Sequence, residues 1–168
     1  MALSRAIPCV SRPSVLLLED NPLHGALLQM VLEASGMEVF KASAASEAAR
    51  IAGKQAPDLI LVSWDTEGLD GRALLAFLRL SVPELAGVPV LLMTDRNISG
   101  TLRMVLAKEG YLWILQKPLV PTSLPKLIQR TIADHTRRLR GSRVGQPVLG
   151  QFVGCGATAS GFYLQAAG

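Results

Sequence analysis

The stretch Pro57-Asp58-Leu59-Ile60-Leu61-Val62-Ser63 decides the fold of this chain. Its four consecutive large apolar residues are typical of a short strand that is buried on both faces. Strands of this kind belong to parallel sheets that are covered by helices. Because Ser63 comes directly after the apolar run, its hydroxyl is predicted to lie at the rim of such a sheet.

Other apolar segments repeat this pattern along the chain and alternate with segments of helical periodicity. Further strands are predicted at 14–18, 38–42, 88–93 and 112–115. Helices are predicted to begin near residues 22, 45, 71, 99 and 122. A fivefold alternation of strand and helix predicts an α/β fold, with a parallel sheet covered by helices on both faces.

Polar residues follow four of the five predicted strands. They are Glu19 and Asp20 after the first strand, Ser63 at the end of the third, Thr94 after the fourth and Lys117 after the fifth. The carboxyl ends of parallel strands meet at one edge of a sheet, where ligands of such folds bind. These five residues are therefore predicted to form one site.

The ordered set of strand-end residues resembles the receiver domain of the two-component response-regulator family, over about residues 14–136. The resemblance implies a flavodoxin-like (βα)5 doubly wound parallel sheet of strand order 2-1-3-4-5. In that family an aspartate at the position of Ser63 accepts a phosphoryl group. The resemblance further implies acidic Mg²⁺ ligands at Glu19 and Asp20, and residues that contact the phosphoryl group at Thr94 and Lys117.

Serine at position 63 changes the chemistry expected of this site. A serine hydroxyl is a weak nucleophile unless a base activates it, and the nearby bases are predicted to be Asp20 and Asp65. No histidine is predicted close by, since His24 is expected to be exposed on the first helix. The sequence therefore predicts no catalytic residue, although phosphorylation of Ser63 or of Asp65 stays open as an alternative.

The loss of one carboxylate also lowers the negative charge available to a cation. The metal site at Glu19 and Asp20 is therefore predicted to be weak or vestigial. In place of a cation, these two carboxylates and Lys117 are expected to pair with one another. The sequence predicts no cofactor, or weakly bound Mg²⁺.

Two further departures from the family affect the way phosphorylation is sensed. Ile114 stands where the family has an aromatic residue whose rotation reports phosphorylation, and Asp95 replaces a small residue at the pocket mouth. Both favour a pseudo-receiver that acts as a phosphorylation-independent signalling adaptor rather than as an enzyme. The alternative is an active receiver that accepts a phosphoryl group with Mg²⁺ in a phosphorelay.

The resemblance places the docking surface on the fourth helix, the fifth strand and the fifth helix. Trp113, the neighbour of Ile114, is expected to be exposed there. The candidate interface residues are Leu102, Met104, Val105, Lys108, Trp113 and Arg130. The predicted partner is a protein, namely a signalling kinase, a regulator or a second copy of the chain.

Charge and composition bound the remaining function classes. The net charge of +4 comes from four arginines between residues 137 and 143, so the body offers no basic face for nucleic acid. No helix-turn-helix pattern follows residue 140, which disfavours a transcription regulator. Cys9 and Cys155 have no ligand spacing around them, and with no apolar signal segment a cytoplasmic location is expected.

The ends of the chain differ in composition from its body. We predict a flexible leader at 1–13, a receiver-like domain at 14–140 and a glycine-rich tail at 141–168. Residues 144–168 contain six glycines and no charged residue. They are long enough to cross a bilayer but lack a sustained apolar run, so no membrane span is expected.

Overall fold

A computed structural model of the chain describes residues 12–66 and 69–141. Its strands are β1 (Ser14–Leu18), β2 (Glu38–Ala42), β3 (Leu59–Ser63), β4 (Asp65–Thr66), β5 (Leu69–Asp70), β6 (Val90–Thr94) and β7 (Tyr111–Gln116). Its helices are α1 (Pro22–Ala34), α2 (Ala45–Ala52), α3 (Gly71–Ser81), α4 (Gly100–Lys108) and α5 (Leu124–Gly141), with a 3-10 turn at Pro83–Gly87.

The main sheet has five parallel strands in the order β2-β1-β3-β6-β7. This is the predicted order 2-1-3-4-5, so the α/β doubly wound fold is confirmed. The short strands β4 and β5 form a separate antiparallel pair. The strand predicted at 88–93 begins two residues later, because Pro89 precedes it and has no N–H to donate to a neighbouring strand.

Alternate residues of the central strands pack into two separate hydrophobic cores, one on each face of the sheet. Along β1, Leu16 and Leu18 belong to the core on the side of α2, α3 and α4. Val15 and Leu17 belong to the core under α1 and α5. Burial on both faces explains why the central strands are continuously apolar.

Trp64 lies directly after Ser63 and is a buried member of the core beneath α2 and α3. Its backbone N–H donates to the carbonyl of Met93, which extends the β3–β6 ladder by one residue. That extra hydrogen bond fixes the backbone that follows Ser63 to the neighbouring strand.

The predicted leader and tail lie mostly outside the described residues. Pro13 is described, and its carbonyl accepts a hydrogen bond from the N–H of Glu38 at the start of β2. Within the described part of the chain, no helix is long and apolar enough to cross a membrane.

Candidate functional site

Three of the predicted site residues meet at the carboxyl edge of the sheet. Lys117 Nζ donates to Glu19 Oε2 at 2.9 Å and to Ser63 Oγ at 3.0 Å. Backbone hydrogen bonds place these side chains, because Glu19 N–H donates to Ala42 and Lys117 N–H donates to Thr94. The peptide bond between Lys117 and Pro118 is cis.

Glu19 is a buried carboxylate with its oxygens already engaged. Only 3% of the residue is exposed. Oε2 accepts from Lys117 and lies 2.6 Å from His24 Nδ1, and Oε1 accepts from the N–H of Asn21 at 3.2 Å. Burial alone would raise the pKa of Glu19, but the hydrogen bonds from Lys117 and His24 outweigh it and hold that pKa below its ordinary value.

His24 is part of this site, so the expectation that it is exposed and remote was wrong. Asn21 caps α1 by accepting from the N–H groups of Leu23 and His24, and Pro22 occupies the first helical position. The cap turns the first helical turn back over the end of β1, which brings the imidazole to Glu19. The signal for this contact in the sequence was the Asn21-Pro22 helix start, which follows the acidic pair directly.

Thr94 is almost completely buried at the end of β6. Its Oγ1 accepts a hydrogen bond from the N–H of Arg96 at 3.0 Å, so the hydroxyl binds its own loop. Asp95 follows it and is exposed. Asp20 is partly exposed beside Glu19. The backbone of Asp65 forms β4, but its side chain lies outside the described atoms.

The residues at this edge fit a divalent cation poorly. Within 12–66 and 69–141, no group of three or more histidine, cysteine, aspartate and glutamate side chains is arranged to hold a metal ion. Glu19 is neutralised by a lysine, and position 63 offers a neutral hydroxyl instead of a carboxylate. A hard cation prefers several carboxylate oxygens, and the described donors supply few that are not already paired.

The predicted docking surface forms a second region on the outside of α4, β7 and α5. Met104, Lys108 and Arg130 are exposed there, and Arg130 lies 3.8 Å from Asp134 on its own helix. Leu102 and Val105 are partly buried. Trp113 packs against the core under α5 and is only partly exposed, and Ile114 is buried.

Comparisons with known proteins agree on one family. The response regulator receiver domain model matches residues 15–129. The polar-differentiation response regulator DivK of Brucella ovis is 29% identical over 69% of this chain and 90% of its own length.

Solved structures agree on the fold. A CheY-like response regulator receiver domain protein from Methanospirillum hungatei covers 76% of this chain and 99% of its own, with a TM-score of 0.67 and 20% identity. The signal receiver domain of a modulated diguanylate cyclase from Desulfovibrio desulfuricans covers 76% and 98%, with a TM-score of 0.63 and 26% identity.

Proposed function

Because the chain belongs to the response regulator receiver domain family, we propose that it is a pseudo-receiver: a phosphorylation-independent adaptor, not an enzyme, that binds a protein partner in one constant conformation. One observation carries this proposal more than any other. Lys117 donates hydrogen bonds to both Ser63 and Glu19, so the charge of Glu19 is paired within the site itself.

The neighbours of Ser63 argue against phosphoryl transfer to its hydroxyl. A serine becomes nucleophilic when a base accepts its proton. The ammonium of Lys117 contacts the Ser63 oxygen, and an ammonium donates protons and cannot accept one. The imidazole of His24 is directed to Glu19. The contact from Lys117 therefore holds the Ser63 hydroxyl and does not activate it.

Mg²⁺ binding is proposed to be weak or absent for the same reason. In receiver domains the acidic pair would hold the cation, whose charge offsets the phosphoryl oxygens. Here Lys117 and His24 already supply positive or donor groups to Glu19. A cation would have to displace both side chains from a carboxylate that is 3% exposed.

We propose that output depends on the surface of α4, β7 and α5. The family implies a protein partner, which would be a signalling kinase, a regulator or a second copy of the chain. Met104 is the most exposed of the apolar candidates on α4 and β7, the tryptophan included, with 58% of its area accessible. Trp113, being partly buried, would contribute one edge of its ring to the contact. Large apolar side chains of this kind dominate many interfaces.

A pull-down with paired variants tests the adaptor proposal. We expect the partner that wild type captures to be lost with Met104→Asp and weakened by about 2 kcal/mol or more with Trp113→Ala. Met30→Asp is the matched control, since Met30 is similarly exposed but lies on α1. Ser63→Ala, Mg²⁺ and a phosphodonor are expected to leave capture unchanged. Loss of capture with Ser63→Ala but not with Met104→Asp would refute the proposal.

The alternative function is an active receiver that accepts a phosphoryl group with Mg²⁺. It is supported by the retention of Glu19, Thr94 and Lys117 at the strand ends. Mass spectrometry after incubation with acetyl phosphate and Mg²⁺ separates the two functions. An unchanged mass supports the adaptor, and a phosphoryl adduct on Ser63 or Asp65 supports the active receiver.

A further inference from the structure

The outer face of α3 carries an apolar stripe that no described element covers. Ala73, Ala76, Phe77 and Leu80 are all exposed, and their spacing of three and four residues puts them on one side of the helix. Leu80 leaves 84% of its area accessible, more than any other large apolar side chain in the described residues. The opposite side of the same helix, at Leu74 and Leu78, is fully buried in the core. We call the exposed stripe and the groove beside it the α3 face.

A groove of about 660 Å³ runs between α3 and the end of α4. Three basic side chains line it, together with one carboxylate: Arg72, Arg79, Lys108 and Glu109. The carboxylate of Glu109 accepts from Arg72 Nε at 2.9 and 3.0 Å, so it neutralises that cation. The groove therefore has an excess of positive charge beside an apolar stripe.

The position of Arg79 shows that this charge is built into the fold. Its guanidinium donates to the backbone carbonyl of Glu109 and lies over Gly110. Gly110 has a φ of +92°, and a Cβ at this position would be 2.7 Å from Arg79 Nη2. A glycine is thus needed both for the turn and for the close approach of the arginine.

Arg79 lacks a carboxylate partner of its own in the described structure. Its Nε is buried and has no hydrogen-bond partner among the described residues. Burial lowers the pKa of the Arg79 guanidinium, while Tyr111 and Glu109 act in the opposite direction. The guanidinium of Arg79 is a partly buried cation that donates to a backbone carbonyl. A carboxylate from a partner protein would stabilise such a cation.

From these contacts we propose that the α3 face is a docking site for an acidic amphipathic helix of a partner protein. Its apolar side would cover Phe77 and Leu80, and its carboxylates would face Arg72, Arg79 and Lys108. Grooves between helices commonly receive an amphipathic helix in this way. The 11 residues of α3 are roughly 16 Å long, which suits a partner helix of about three turns.

Charge favours this occupant over the others. A two-fold dimer through the α3 face would place its basic groups against one another. Nucleic acid would satisfy the cations but would leave Phe77 and Leu80 against a charged backbone. An acidic helix satisfies both parts of the face at once.

Titration of the full chain with designed peptides tests the site. The probe is an 18-residue helical peptide that has Leu on one face, at positions i, i+3, i+4 and i+7, and Glu at the positions flanking that face. In the control peptide, Gln replaces every Glu. We expect amide signals of α3 and of residues 108–111 to shift with the Glu peptide. The Gln peptide should bind about tenfold more weakly, the equivalent of about 1.4 kcal/mol. Binding should also weaken as salt rises.

Variants of the chain then assign the binding to this face. Leu80→Ala should weaken the Glu peptide several-fold, while Leu23→Ala should not, because Leu23 is equally exposed but lies on α1. Glu109→Gln should strengthen binding, since it removes an internal competitor for Arg72. Thermal midpoints confirm that each variant is folded.

Several results would overturn the proposal. They are no binding of the Glu peptide at 1 mM, equal binding of the Gln peptide, shifts confined to another face, or unchanged affinity in both Leu80→Ala and Glu109→Gln. Equal binding of a DNA duplex that competes with the peptide, or self-association that Leu80→Ala abolishes, would assign the face to another occupant and also refute it.

Discussion

At the carboxyl edge of the sheet, Ser63 and Glu19 are almost fully buried and share the ammonium of Lys117. On the surface of α4, by contrast, Met104 leaves 58% of its area exposed. The first region satisfies its polar groups internally, whereas the second leaves apolar area uncovered. A buried polar network contributes to stability and to a single conformation when its members are paired. Exposed apolar area instead favours binding, because its burial by a partner lowers the free energy.

This difference between the two regions supports our proposal that the chain signals without phosphorylation. In the family, charge change at the pocket alters the outer surface. Here the positive charge at Glu19 is supplied permanently by Lys117, and His24 adds a second partner. We therefore regard the pocket as a fixed internal support and the outer helices as the interacting region.

The largest effect is expected from removing the shared cation. Lys117→Met should lower the free energy of unfolding by about 3 kcal/mol, because it leaves the buried carboxylate of Glu19 without its charge partner. Arg130→Met is the surface counterpart, since Arg130 is highly exposed, and it should change stability by less than about 0.5 kcal/mol. Urea denaturation measures both. Similar small losses in the two variants would mean that the pocket network is not a support.

The second effect concerns the affinity of the site for Mg²⁺. Ser63→Asp restores a carboxylate, and His24→Asn removes a competitor for Glu19. The double variant should bind Mg²⁺ at least about tenfold more tightly than wild type, and each single change should give less. Calorimetry measures the affinities. Tight binding by wild type, with a dissociation constant below about a millimolar, would show that the present residues already form a metal site.

The pH dependence of stability tests the burial of Glu19 with a smaller effect. Its pKa is lowered in the folded state, so its contribution to stability is present above the ordinary value of 4.5 and is lost as pH falls through the folded value. The gap in unfolding free energy between wild type and Glu19→Gln should therefore narrow below pH 4.5. A gap that stays constant down to pH 3 would contradict the lowered pKa.

The sequence predicted the fold and the strand-end residues for a clear physical reason. The apolar runs at 15–18 and 59–62 are too uniform for strands with one solvent-exposed face, so they predict a parallel sheet and the edge at which its site lies. The contact between His24 and Glu19 could not be obtained in the same way. It depends on the direction in which α1 leaves β1, which the Asn21 cap sets and strand patterns do not reveal.

Tertiary packing likewise determines how far the two tryptophan side chains are exposed. Trp64 follows the apolar run of β3, and its backbone continues the ladder to Met93 while its ring is buried in the core. Trp113 was expected to be exposed, yet the core under α5 covers part of it. Single-residue exposure at a strand depends on the neighbouring helix, and sequence alone does not give that helix's position.

Truncation of the tail should have a small effect. Residues 144–168 are uncharged and rich in glycine, so they are expected to add little to the core. A chain ending at Gly141 should have a thermal midpoint within a few degrees of the full chain. Scanning calorimetry of both proteins measures this. A larger fall would show that the tail packs on the body, and Phe152, Phe162 and Tyr163 would then be the first anchors to test.

The most direct test of the constant conformation uses the two tryptophans of the chain as reporters. Trp64 adjoins Ser63, and Trp113 lies on the α4–β7–α5 surface. Nuclear magnetic resonance of their indole N–H groups follows both regions while Mg²⁺ and acetyl phosphate are added. We expect neither indole signal to move in wild type. If both signals moved together and saturated, the pocket would be controlling the outer surface, and the claim of phosphorylation independence would be wrong.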